Sequence, residues 1–235
     1  MAKNNMRIWA VIPAAGVGKR FSSDIPKQYL PLSGIPVLLH SINKLLKFDG
    51  FEEILVALNP ADTFWKKLNF THPKVKTIHG GLERCNSVNS ALEDLSGRAE
   101  NGDWVLIHDA VRPCISDSDL KKITDIVHHE DVGGLLACPI LDTIKEVDEK
   151  LDVQKTIPRE KLWSAMTPQI FRYELLKQAL EAALVAGRSV TDEASAIESI
   201  GLTPRIVQGD KTNIKVTHST DMVLAESIIN TLLSK

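Results

Sequence analysis

Cysteine is scarce in this chain: Cys85, Cys114 and Cys138 are the only three in 235 residues. They are odd in number and widely spaced, which excludes a disulfide framework and any short-spaced cysteine metal site. A reducing, cytoplasmic compartment is the simple inference. Excess charge of either sign is also missing. The net charge of −2 creates no global field for nucleic acid or an anionic membrane surface, so neither is expected as a partner. No apolar run approaches the ~20 residues of a membrane-spanning helix. The segment before Ile8 superficially resembles a secretory leader. The run that follows contains Pro13 and is succeeded at once by Gly16, Gly18, Lys19 and Arg20, so it reads as a first core strand. Internal repeats, low-complexity tracts and inter-domain linkers are absent, and residues 1–235 are expected to form one domain. No Ser/His/Asp nucleophile arrangement is visible, and the histidines show no ligand spacing.

What is present begins with Pro13-Ala14-Ala15-Gly16-Val17-Gly18-Lys19-Arg20, followed by Pro26-Lys27-Gln28. Small residues after a buried strand let a backbone approach a bulky anion, with N–H groups facing its oxygens. Lys19, Arg20 and Lys27 add positive charge to the same loop, which points to a triphosphate. Two familiar phosphate fingerprints fail. A dinucleotide turn needs a glycine where Phe21 stands, and an acidic residue after the second strand, where Asn59-Pro60 stands. The other fingerprint needs Ser or Thr after Gly18-Lys19, where Arg20 stands. Redox and ATPase readings fall together. A plain strand-to-helix turn with incidental lysines is the alternative.

Short apolar runs alternate with amphipathic stretches. Strands are expected at Ile8–Ile12, Ile54–Leu58, Val75–His79, Trp104–His108, Gly134–Cys138 and Arg205–Val207. Helices are expected near Val37–Lys47, Glu83–Leu95, Asp117–Glu130, Arg172–Ala186, Asp192–Ile200 and Ser219–Leu233. This order predicts an α/β fold, a mostly parallel sheet with helices on both faces. Ligands in such sheets collect at the carboxyl ends of strands. Residues 140–162 break the pattern: both limbs mix apolar and polar residues around Asp148-Glu149-Lys150. A projecting β-hairpin cannot bury both faces alone, so it is expected to pack against another subunit, with a solvated loop as the alternative.

The strand-end segments carry the candidate chemistry. In His108-Asp109-Ala110-Val111-Arg112-Pro113, Asp109 can hold a hard cation such as Mg2+ and Arg112 can meet a phosphate. A structural ion pair is the competing reading. Gly80-Gly81 precedes a helix start, where Ser87 can reach a base or sugar. Thr191 is expected as the N-cap before Asp192-Glu193, which by itself explains that segment. Lys215, before the last helix, is either a solvated charge or a phosphate contact. Fixed cations, one metal-binding carboxylate and no protein nucleophile suit phosphoryl or nucleotidyl transfer.

These segments, together with Asp142-Thr143, Thr167-Pro168-Gln169, Thr191-Asp192-Glu193-Ala194-Ser195-Ala196 and Asn213-Ile214-Lys215-Val216-Thr217, resemble the 2-C-methyl-D-erythritol 4-phosphate cytidylyltransferase family, in order and over nearly the whole chain. The resemblance implies a Rossmann-like domain of the nucleotide-diphospho-sugar transferase type, with 140–162 as a dimerisation β-arm. It implies CMP transfer from CTP to methylerythritol phosphate, with release of pyrophosphate, in isoprenoid precursor synthesis, with Mg2+ in a homodimer and with the substrate's phosphate as nucleophile. By the same resemblance, Arg20 and Lys27 stabilise the transition state, and Asp109 and Lys215 complete the catalytic set. Ala14, Ala15, Gly16, Gly18, Gly81 and Ser87 hold the nucleotide. Arg112, Thr143, Arg159, Thr167 and Thr191 bind the sugar phosphate, Thr143 and Arg159 reaching from the arm into the partner's site. Two departures stand out: Cys85-Asn86 replaces a more usual Gln and acid, and Pro158 precedes Arg159 where Asp is common. Ribitol 5-phosphate cytidylyltransferase is the alternative enzyme, and a non-catalytic nucleotide-binding regulator the alternative of another class.

Overall fold

The structure is a computed structural model that describes residues 6–16 and 25–233. Eleven strands are found there: β1 Ile8–Ala14, β2 Pro31–Leu32, β3 Ile35–Pro36, β4 Phe51–Leu58, β5 Val75–His79, β6 Trp104–Ile107, β7 Gly133–Pro139, β8 Ile144–Val147, β9 Val153–Ile157, β10 Trp163–Arg172 and β11 Arg205–Gln208. The α-helices are α1 Val37–Leu46, α2 Arg84–Asp94, α3 Asp117–Asp125, α4 Tyr173–Val185, α5 Glu193–Ser199 and α6 Ser219–Leu233. Seven strands form the central sheet in the order β11-β7-β10-β6-β1-β4-β5. All neighbours are parallel except at β10, which runs antiparallel to both β6 and β7. The mostly parallel α/β expectation holds.

Side chains of a strand alternate between faces, and β1 shows how this builds two cores. Ala10, Ile12 and Ala14 pack with Leu38, Ile42 and Leu45 of α1 and Leu120 and Ile123 of α3. Trp9 and Val11 face the other way, onto Val88 and Leu92 of α2, Leu176 and Leu180 of α4, and Ile197 of α5. With both faces covered, β1 reads as a continuous apolar run rather than an alternating one. A third cluster seats Ala225 and Ile229 of α6 against Val111, Cys114 and Val216, fixing the chain on either side of the site.

Two expectations need correction. No strand is expected over Trp163–Arg172, yet β10 runs there with Pro168 in its middle, although proline lacks the N–H a central strand donates. The sheet accommodates it by interrupting the β7 pairing between Ala165 and Gln169. Thr191 is not the cap of α5. Asp192 is, accepting from Ser195 N at 2.9 Å, while Ser195 closes the reciprocal capping box. The excursion at 140–162 is a two-stranded hairpin, β8 with β9, emerging between β7 and β10. Its residues Leu141, Leu151 and Val153 are 59%, 78% and 60% exposed.

Candidate active site

Three chain segments converge at the carboxyl ends of the central strands. The first leaves β1 through Ala15 and Gly16. Buried Gln28 ties it down, its Nε2 donating to Ala14 O at 2.9 Å and Gly16 O at 3.0 Å. That bond brings the short 3-10 turn Lys27–Tyr29 against the loop and puts Lys27 on a cavity wall. Gly18 and Arg20 lie outside the described residues.

The second segment follows β5. A Cβ on Gly80 would stand 2.7 Å from Ala15 Cβ and 2.8 Å from Ser87 Oγ, so only glycine lets β5, the first loop and α2 meet here. Ser87 Oγ accepts from Gly81 N at 3.1 Å and donates to Glu83 O at 3.2 Å. Asn86 Oδ1 accepts from Glu83 N at 3.1 Å as half of a capping box. The unusual Asn86 therefore performs a local folding task.

The third segment follows β6 and is centred on Asp109, which is 5% exposed. Its Oδ1 accepts from Arg84 Nε at 2.8 Å, its Oδ2 lies 2.8 Å from Lys215 Nζ, and Arg112 Nε stands 3.7 Å from Oδ2. Burial alone would raise the Asp109 pKa, but Arg84, Lys215 and Arg112 hold it far below the usual carboxylate range. Thr167 Oγ1 accepts from the Asp109 backbone N–H at 2.9 Å. Behind it, fully buried His108 places Nε2 3.0 Å from Arg112 O and Nδ1 3.3 Å from Thr167 Oγ1. Burial pushes the His108 pKa down to about 4, against the opposing pull of Asp109, so the ring is neutral near pH 7. Arg112 Nη1 donates to Asn213 O at 2.7 Å, and Asn213 Nδ2 donates to Thr167 O at 2.8 Å.

Two cavities share this centre. One, of about 160 Å3, is lined by Ala14, Ala15, Gly16, Lys27, Gly81, Ser87, Asp109 and Lys215, among others. The other, of about 250 Å3, is lined by Arg112, Thr167, Thr191, Asp109 and Lys215, among others. Arg84 stands in both walls. The structure thus brings together every expected site residue in the described part except Thr143 and Arg159. Those two lie on the exposed arm, where Arg159 Nη1 donates to Leu141 O, and neither lines either cavity. Sequence reasoning left roles for Glu193, Gln169 and His108 unassigned. Glu193 holds Arg84 through two bonds of 2.6 and 2.9 Å. Gln169 links Asp192 Oδ2 to Ala194 N, each at 2.9 Å.

Fold and site together define an α/β protein suited to a phosphate-rich ligand at the carboxyl edge of a mostly parallel sheet. The family model for 2-C-methyl-D-erythritol 4-phosphate cytidylyltransferase matches residues 8–231. The chain belongs to that family, whose members are nucleotidyltransferases. A curated relative of that name from Azoarcus sp. is 45% identical, spanning 95% of this chain and 94% of its own. Another, from Shewanella halifaxensis, is 45% identical over 96% of both. The solved Francisella tularensis 2-C-methyl-D-erythritol 4-phosphate cytidylyltransferase is 36% identical and superposes with a TM-score of 0.81, covering 94% of this chain and 99% of that one. Among the described residues, no helix is long and apolar enough to cross a membrane.

Proposed function

We propose that this chain transfers CMP from CTP to 2-C-methyl-D-erythritol 4-phosphate, releasing pyrophosphate and forming 4-diphosphocytidyl-2-C-methyl-D-erythritol, an isoprenoid precursor. One observation carries the reading beyond family membership. Two adjoining cavities share a wall of Asp109, Arg84 and Lys215, as a reaction between two bound phosphates requires. The nucleotide occupies the side of Ala14, Ala15, Gly16, Gly81 and Ser87, with Gly18 assigned by resemblance. The sugar phosphate occupies the side of Arg112, Thr167 and Thr191. Its phosphate oxygen attacks the α-phosphorus of CTP, the new O–P bond forms, and the bond to the β-phosphate oxygen breaks. Lys27, Lys215 and, by resemblance, Arg20 stabilise the charge that accumulates at the α-phosphate. No protein nucleophile is needed, and catalysis rests on positioning and charge.

Mg2+ fits this donor set. It prefers substrate phosphates with one or two carboxylates, and Asp109 is a buried carboxylate lining both cavities. Among the described residues no group of three His, Cys, Asp or Glu forms an all-protein cage. Asp109 would hold the ion through Oδ2, in place of its Lys215 contact, since Oδ1 is taken by Arg84; triphosphate oxygens would supply the other ligands, and the ion would neutralise their charge. The arm is assigned to a homodimer in which Thr143 and Arg159 serve the partner's site, and its exposed Leu151 and Val153 support that assignment. A cytoplasmic location agrees with three free cysteines.

Pyrophosphate release from CTP, measured with methylerythritol phosphate, with ribitol 5-phosphate and with no acceptor, tests the reading. Release with the first acceptor alone is expected. Release with ribitol phosphate only would transfer the chain to that activity, and CTP binding without release would make it a regulator.

A further inference from the structure

Glu193 is a buried acid, 1% exposed, that the reaction as described does not use. It opens α5, yet the helix end is satisfied without it. Asp192 Oδ1 takes Ser195 N at 2.9 Å, and Gln169 Oε1 takes Ala194 N at 2.9 Å. Both Glu193 oxygens go instead to Arg84, a residue 109 positions away in the chain, at 2.6 and 2.9 Å. The remaining edge of the same guanidinium, Nε, donates to Asp109 Oδ1 at 2.8 Å. Arg84 is therefore held between two carboxylates, in the wall common to both cavities. A buried ion pair adds little net stability over apolar side chains of similar volume. Folding alone does not account for it.

We propose that Glu193 is a positioning residue: it clamps Arg84 so that Asp109 Oδ1 stays occupied while Oδ2 faces Lys215 and the reacting phosphates. The inference rests on the cytidylyl-transfer reading. Without the Glu193 charge, Arg84 keeps a single charged anchor, Asp109, and at most one neutral bond on its other edge, and it turns toward incoming phosphate. The cluster then holds three cations, Arg84, Arg112 and Lys215, against one carboxylate instead of two. Phosphates are then bound at least as tightly but aligned worse, a combination that separates kcat from KM.

The test compares E193Q, R84M and the double variant R84M/E193L for kcat, KM for CTP and melting temperature. E193Q is expected to lose about tenfold or more in kcat with no rise in KM. The double variant replaces the pair by apolar side chains but also removes the donor to Asp109 Oδ1; it is expected to melt below wild type and, like R84M, to lose kcat. Wild-type kcat in a folded E193Q or R84M/E193L protein overturns the proposal. A wild-type chain that releases no pyrophosphate defeats the reaction reading instead. Calorimetric titration with inorganic triphosphate then decides the clamp. E193Q is expected to bind about threefold tighter than wild type, and the double variant is not. Equal affinity of wild type and E193Q overturns it.

Discussion

Acidification should loosen this protein through one residue, His108. The ring is wholly buried, its pKa falls from 6.5 to about 4, and the charged groups acting on it are Asp109, which opposes the fall, and Arg112 and Arg84, which favour it. A histidine whose folded pKa is depressed binds fewer protons when native than when unfolded. Its contribution is present above the unfolded value and is lost as pH falls toward the folded one. Below about pH 4 both states are protonated and the loss is complete. A shift of that size corresponds to roughly 3 kcal/mol in all, of which about 2.5 kcal/mol disappears between about pH 7 and about pH 4.5. Protonation would also put an N–H on Nδ1, forcing the Thr167 hydroxyl to stop donating there and disturbing its hold on Asp109. His108→Gln keeps a neutral polar side chain that cannot titrate. Urea unfolding of wild type and variant, in EDTA so that no metal intervenes, isolates the effect from the carboxylates common to both. The wild-type minus variant stability should fall by about 2.5 kcal/mol over that interval. A difference that does not change with pH would refute the buried, neutral ring.

Lys27→Met should lower kcat about a hundredfold or more with little change in the KM for CTP, and a raised KM at unchanged kcat would contradict a transition-state role. Gly80→Ala inserts a methyl between Ala15 and Ser87, at 2.7 and 2.8 Å. It should cost about 1–3 kcal/mol in stability and raise the KM for CTP about tenfold, and an unchanged KM would show that the nucleotide does not sit there. Mixing inactive Lys27→Met and Arg159→Ala chains should restore about a quarter of wild-type activity. Half of randomly paired dimers are mixed, and one of their two sites is intact. Demonstrated mixed dimers without activity would remove Arg159 from the partner's site.

Local pattern made much of the fold legible. The strand Val75–His79 and the helix Ser219–Leu233 match their expected ends, and β1 extends two residues beyond Ile12. These elements announce themselves through neighbouring residues: apolar runs, caps and the glycines between them. The strand β10 could not, because the residue that should forbid it, Pro168, is tolerated through a pairing break that only β7 reveals. The cap of α5 was misplaced by one residue for a related reason. Thr191 and Asp192 are both good N-caps, and the choice between them falls to Ser195 and to Gln169, which bonds Asp192 Oδ2 from β10.

The site divides along the same line. Residues that face a ligand cluster after strands, so Gly16, Gly80-Gly81 and Asp109 are marked by position, while the nucleotide roles of Ala14 and Gly81 come from the family resemblance. The side chains that support them come from distant parts of the chain and carry no such mark. Glu193 in Thr191-Asp192-Glu193 is indistinguishable in sequence from an acid placed to suit a helix dipole. Its pairing with Arg84 spans 109 positions, and no local periodicity encodes that. His108 similarly reads as the end of a strand, and its neutrality follows only from complete burial beside Arg112 and Thr167. What sets Glu193 apart is burial. An acid 1% exposed needs an opposite charge or donors, and the start of α5 is already capped by Asp192 and Ser195, so its partner comes from elsewhere in the chain. Here that is a guanidinium whose other edge holds the carboxylate common to both cavities.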